Sequence, residues 1–293
     1  MTTLNWLYAP VMAGRQKLVD DAVAAALAKF APINLHPDEL AVTLVDLSDF
    51  NNPAWANHRG DAPVYPASVV KLFFLAAAHR QMEDKTISDT PELRRALSDM
   101  IVDSGNEATG YVLDVLTGTT SGPELPPAEL AVWGEQRNAV NRYFHSLGYA
   151  GINANRKTWN DGPYGRDKQA VDQFTPAKNS LTTNATARLL VEIYTGKCVS
   201  SDRSAQMLEL LKRDFADPAR ADHQACEFIG AVLPAGAKLW SKAGYMSVAR
   251  HDAALVELPG GAKFALVIFT GRHSETKEII PSIARWIIGG FEK

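Results

Sequence analysis

Ser68 and Lys71 stand three positions apart in the run Ser68-Val69-Val70-Lys71. In a helix that spacing stacks a hydroxyl and an amine on one face about one turn, roughly 5 Å, from each other. The run continues through Leu72, Phe73, Phe74, Leu75 and Ala76 to Ala78 and is apolar nearly all round, which only a helix buried on every side tolerates. A lysine in such a helix loses its hydration, so its pKa falls toward neutrality and it can accept the proton of the serine. Ser68 also follows Pro66 in a first helical turn, where its backbone N–H has no helical partner and is free for a developing oxyanion. The plainer reading is an N-cap serine beside a lysine that snorkels to water. The same spacing recurs at Ser274-Glu275-Thr276-Lys277, but that stretch is polar and acidic and is expected to be solvated.

Two further triplets carry suitable side chains. Ser104-Gly105-Asn106 follows an amphipathic helix that opens at Pro91, in a glycine-containing turn able to present both side chains to a cleft; alone it reads as an ordinary loop. Lys242-Ala243-Gly244 falls on a strand, where glycine lets a substrate backbone approach closely; alone it is a solvated strand-end lysine. Other well-defined sites are missing: there is no GxGxxG after a strand, no P-loop, no HExxH and no GxSxG elbow. The seven histidines are scattered, and Cys198 and Cys226 show no ligand spacing, so no metal centre is expected and both cysteines read as small buried residues.

The elements that must hold these residues follow from periodicity. Leu18, Val19, Ala22, Val23, Ala26, Leu27 and Phe30 place a first helix over 15–30, and Leu40 to Leu47 reads as a strand. Helices are predicted from Ser68 and from Pro91, then over 128–147, 183–195 and 201–213, with irregular stretches at 117–127 and 151–178. After Gly236 strands are expected over 238–241, 248–258 and 263–270, with Pro259-Gly260-Gly261 as a hairpin turn, and a last helix over 274–290. This order implies an α+β fold: an antiparallel sheet flanked by N- and C-terminal helices, with an inserted all-helical domain. The expected division is 1–62 with 214–293 for the sheet and 63–213 for the helices.

Composition agrees with a globular chain. Its 293 residues are 46% apolar and 22% charged, which excludes disordered and collagen-like classes. Thirty basic and thirty-three acidic side chains leave a net charge of -3 with no basic stripe, so nucleic acid is not an expected partner. No stretch approaches the apolar length of a membrane span, and residues 1–14 lack the unbroken apolar run and basic lead-in of a signal peptide. A cytoplasmic location is expected for the chain as it stands, and a periplasmic or secreted one if a leader has been removed.

In the order SxxK, SxN, KxG, the three motifs resemble the penicillin-recognising serine hydrolases, and the order of elements over about residues 15–290 resembles class A β-lactamases. The resemblance implies an acyl hydrolase acting on β-lactams or related amides through an acyl-enzyme, with a D-alanyl-D-alanine-type peptidase or esterase, or a slowly deacylating penicillin-binding protein, as alternatives. It implies Ser68 as nucleophile, Lys71 as its base and Ser104 as proton relay to the leaving nitrogen. Asn106 would bind the substrate amide, Lys242 the substrate carboxylate, and the N–H groups of Ser68 and Tyr245, the latter just after Gly244, would form the oxyanion hole. A monomer is expected, with a carboxylate-bearing small molecule or peptide as substrate and no cofactor.

Three departures from the family pattern are legible. Ala243 replaces the hydroxyl residue usual before the glycine, with Ser247 and Arg250 as candidate substitutes. The interval from Ser68 to Ser104 is short, whereas 117–136 looks like extra sequence. Class A enzymes place a glutamate, which activates the deacylating water, in the loop before the helix that begins here near Thr182. No glutamate occurs between Glu135 and Glu192, and Asp161, Asp167 and Asp172 are the only candidate carboxylates.

Overall fold

Strict alternation of side chains builds the centre of the molecule. In strand β1 (Leu40–Asp46), Leu40, Val42 and Leu44 face one way while Ala41 and Val45 face the other. The same two-fold period separates Ala254 and Val256 from Ala253 and Leu255 in β5 (Ala249–Glu257), and Phe264, Leu266 and Ile268 from Ala265, Val267 and Phe269 in β6 (Lys263–Gly271). Both faces are therefore apolar and both are covered. The computed structural model describes residues 13–174, 176, 178–215 and 223–291. The predicted absence of a leader falls mainly on residues 1–12, outside the described residues.

With β2 (Ala54–His58), β3 (Lys212–Arg213) and β4 (Lys238–Met246), these strands form one six-stranded antiparallel sheet in the order β2-β1-β6-β5-β4-β3. One face carries α1 (Ala13–Lys29) and α11 (Ile279–Gly289), with Val19, Val23, Ile280, Ile283 and Ile287 buried against it. The opposite face is covered by the helical layer that occupies the chain between β2 and β3. Its helices are α2 (Lys71–Glu83), α3 (Pro91–Ile101), α4 (Asn106–Thr117), α5 (Pro127–Arg137), α6 (Ala139–Ser146), α7 (Gly165–Gln173), α8 (Thr183–Tyr194) and α9 (Ser201–Leu211). Of these, α5 and α7 form a small core of their own around Leu130, Trp133 and Ala170. The short α10 (His223–Cys226) returns the chain to the sheet.

Several elements differ from the sequence reading. Ser68 lies not in an α-helix but in a 3₁₀ turn, Ala67–Val70, that runs directly into α2. Residues three apart eclipse in that geometry, so Ser68 and Lys71 are aligned more closely than an α-helix would allow. The helix expected over 128–147 is broken at Asn138 into α5 and α6. β2, α4 and α7 were not expected, and the sheet resumes at Lys212 rather than after 213. Cys198 is buried as expected, but Cys226 is exposed at the end of α10, and neither is in a disulfide. Ser274 is buried, with its hydroxyl donating to the Ser247 carbonyl at 2.8 Å, whereas Glu275 and Lys277 of that second motif are exposed as expected. Among the described residues no helix is long and apolar enough to cross a membrane.

Candidate active site

The 3₁₀ turn, the α3–α4 junction and the end of β4 meet around a cleft of about 220 Å³ lined by Ser68, Ser104, Asn106, Ala243, Gly244 and Tyr245, together with Asp103, His223 and Gln224. Each of the three motifs is thus carried in by a different element. Ser68 is half-buried at the cleft, and the turn that presents it is held in an unusual backbone state. Ala67, the residue before it, has a φ of 45°, a left-handed conformation that costs a non-glycine residue about 1–2 kcal/mol. Ser104 has a φ of 57°, so a second motif serine also sits at a strained corner, where α3 ends and α4 begins.

Lys71 is fully buried in the first turn of α2. Its ammonium donates to the Ser104 carbonyl at 2.6 Å, the Ser104 hydroxyl at 3.2 Å and the Asn106 side-chain oxygen at 3.0 Å. Burial pulls its pKa from 10.5 down to about 7, because the cost of desolvating the charge exceeds what neutral acceptors return. From the opposite side of the same hydroxyl, Lys242 donates to Ser104 Oγ at 2.9 Å and to the Ala243 carbonyl at 2.8 Å, and it touches Gln224 Oε1. Two buried lysines therefore converge on one serine hydroxyl. Both can donate to it, and the hydroxyl keeps its own proton to give to a further acceptor.

Gly244 explains how close the elements come. A Cβ there would stand 2.8 Å from the Ser68 nitrogen, 2.9 Å from the Pro66 carbonyl oxygen and 2.9 Å from the Val69 nitrogen. All three are backbone atoms, so β4 lies flush against the turn of Ser68 only because residue 244 has no side chain. Tyr245 follows, exposed, its ring 6.3 Å from that of Phe228. Ser247 and Arg250 do not take the place of the missing hydroxyl at Ala243. Ser247 is exposed beyond the end of β4, and the Arg250 guanidinium is occupied by Glu227 at 3.1 Å and by the Phe228 ring at 4.1 Å.

Five neighbours were missed by sequence reasoning, among them His223 at the start of α10. Gln224 is buried and ties Lys242 to the end of α3 by donating to the Val102 carbonyl at 2.6 Å. Arg213 is buried beside it and donates to the Ile101 and Ser241 carbonyls, both at 2.9 Å. Neither position has a sequence signal beyond a polar residue near an apolar run. Asp103 was adjacent to a motif and so within reach of the reading. Asn160 accepts from the Asn106 amide at 2.6 Å. It stands where a second groove of about 470 Å³, lined by Tyr111, Trp159, Asp161 and Tyr164 among others, opens from Asn106.

None of the three candidate aspartates lines the Ser68 cleft. Asp161 faces the second groove, Asp167 is buried at 3.5 Å from Arg137, and Asp172 is exposed on α7 with Lys168 at 2.8 Å. Among the residues lining the cleft, Asp103 is the carboxylate, on the side of Ser104.

A sequence model described as "Beta-lactamase enzyme family" matches residues 87–291, which include Ser104, Asn106 and Lys242 to Tyr245 and begin after Lys71. No curated protein sequence matches the chain significantly. Among solved structures, a beta-lactamase from Sphaerobacter thermophilus superposes with a TM-score of 0.68 at 20% identity, covering 94% of this chain and 98% of its own. PBP-A superposes with a TM-score of 0.69 at 18% identity over 97% and 99% of the two chains. A PBP-A variant solved as an acyl-enzyme complex with penicillin G gives 0.66 at 17% identity over 94% and 96%. At these identities the superpositions establish the fold, and the sequence match establishes the family. The chain belongs to the beta-lactamase enzyme family, within the penicillin-recognising serine hydrolases.

Proposed function

We propose that the protein is acylated on Ser68 by β-lactams or related amides that carry a carboxylate. The observation that carries this reading is the convergence of Lys71 and Lys242 on Ser104 Oγ at 3.2 and 2.9 Å, beside Ser68 in one cleft. In the step proposed, Lys71 as the neutral amine takes the Ser68 proton while Ser68 Oγ attacks the carbonyl carbon. The N–H groups of Ser68 and Tyr245 receive the oxyanion. When the carbon–nitrogen bond breaks, Ser104 passes its proton to the leaving nitrogen and is resupplied from Lys71. Lys242 supplies positive charge for the substrate carboxylate, and Asn106 binds the amide of the acyl group.

A second reading, a slowly deacylating penicillin-binding protein or D-alanyl-D-alanine-type peptidase, is favoured by one observation. The side chain that meets Asn106 from the 151–182 segment is the amide of Asn160, not a carboxylate. A variant of PBP-A, one of the structural neighbours, was captured as an acyl-enzyme with penicillin G. The experiment that tests acylation is intact-mass analysis after incubation with a fluorescent penicillin. One adduct is expected on the wild type and none on Ser68→Ala; an adduct that survives that substitution would overturn the assignment.

A further inference from the structure

His251 is completely buried in β5, directly across from Gly244 in the β4–β5 register, and takes no part in the chemistry proposed for Ser68. Its ring packs against that of Phe269 at 4.6 Å. The Thr270 backbone N–H, at 3.1 Å, can only donate, so Nδ1 must be the acceptor and the proton must sit on Nε2. Nε2 then donates to the Tyr65 carbonyl at 2.7 Å. Desolvation drives the ring pKa down to about 4, which keeps it neutral and in this tautomer through the working pH range.

The Tyr65 carbonyl is a sensitive place to hold. Val64 is fixed on the helical side by paired backbone bonds with Leu181, both 2.9 Å. Pro66 has no N–H to give, Ala67 is left-handed, and Ser68 follows. Between Val64 and the 3₁₀ turn, the bond from His251 is the tie that joins this strained connection to the sheet. It lies on the strand that pairs with the Gly244 backbone seated against the Ser68 N–H. The geometry points to His251 as a positioning residue that sets the distance and angle between the Ser68 turn and β4, and so the spacing of the two oxyanion N–H groups, by pinning the Tyr65 carbonyl to β5.

This rests on the proposed acylation of Ser68 and is tested with two near-isosteres. A glutamine amide nitrogen reaches the position of Nε2, so His251→Gln keeps the donor to Tyr65. An asparagine amide oxygen reaches the position of Nδ1, so His251→Asn keeps the acceptor for Thr270 and releases Tyr65. Each variant drops one of the two bonds, so both should lose similar thermal stability. In stopped-flow acylation by a fluorescent penicillin, His251→Asn should lose at least about tenfold in the acylation rate constant, with the preceding Kd nearly unchanged, as expected for a misaligned reacting group. His251→Gln should stay within about threefold of wild type. Should His251→Asn not fold, His251→Phe keeps the ring, drops both bonds and carries the same expectation. Equal rate constants in the two near-isosteres, or a loss confined to Kd, would overturn the assignment. Binding of phenylboronic acid to Ser68, followed by boron NMR, repeats the comparison without a β-lactam. A wild type that binds the boronate but resists penicillin would therefore fail the acylation reading and still decide the role of His251.

Discussion

Lys71 must be both buried and deprotonatable, and at the residue scale those demands have one cause. The same desolvation that lowers its pKa to about 7 leaves three neutral acceptors, two on Ser104 and one on Asn106, to hold the charged form. A base of this kind predicts a pH dependence with a definite sign. Acylation should fall about tenfold per pH unit below 7, as the amine becomes protonated, and level off above it. Lys71→Arg keeps the charge and the donors but cannot release a proton near neutrality. At least about a hundredfold slower acylation is expected by stopped flow, with no recovery up to pH 9; a near-normal rate would show that Lys71 acts only as a fixed charge. The burial of Lys71 was legible in the sequence because an apolar run around a lysine has few physical explanations. The roles of Gln224 and Asn160 were not, because an exposed loop amide and a buried glutamine in a four-residue helix leave no periodic trace.

Elements place these residues, and the elements read least well from sequence are the ones that shape the cleft. α4 begins at Asn106 but contains Gly110, Thr109 and two valines, poor helix formers that look like loop. It is helical because Val112, Leu113 and Leu116 bury against the shared core. β2 has no β-branched residue and exists through its pairing with β1; α7 is strongly polar and buries only Asp167 and Ala170. The strands of the terminal sheet were legible, although β4 runs on to Met246 rather than ending near Ser241, and the closeness of Gly244 to Ser68 was not legible. Gly244→Ala should force β4 off the turn and cost about a hundredfold or more in acylation, the scale of losing one oxyanion donor. Gly260→Ala, where a Cβ meets nothing within 4 Å, is the matched control. The 151–182 segment makes a separate prediction. With Asn160 beside Asn106, β-lactam turnover should show a burst near one equivalent and then a phase slower by about 10² to 10⁴. Asn160→Glu should shorten the lifetime of the adduct. Steady turnover without a burst would mean that another group activates the water, and Asp103→Asn and Asp161→Asn would then be compared for trapping the adduct.

At the scale of the whole molecule, an ionisable group is buried on each face of the sheet, one beside the cleft and one on the side of α1 and α11. Lys71 comes from the helical side. Asp252 comes from β5, opposite Ala243, fully buried and accepting the Ile229 N–H at 3.0 Å. Burial raises the Asp252 pKa from 3.8 to about 7, as it lowers that of Lys71 from 10.5 to about 7. Between pH 4 and 7 the folded chain binds more protons at Asp252 than the unfolded chain, so this group makes stability fall as pH rises. Between pH 7 and 10.5 the unfolded chain binds more protons at Lys71, so that group makes stability rise. The combined cost is therefore greatest near pH 7, where Lys71 is poised to act. Urea unfolding of wild type and Lys71→Met isolates one arm. The stability of the wild type relative to the variant should increase by about 4 kcal/mol from pH 7 to 10, at about 1.4 kcal/mol for each unit, and stay flat from pH 5 to 7. Asp252→Asn should give the mirror image, with the wild type losing ground from pH 4 to 7 and holding level above. A difference that does not change with pH in either variant would mean that the group keeps its ordinary proton affinity in the folded chain. For Lys71, the base proposed for Ser68 would then be charged, and idle, at neutral pH.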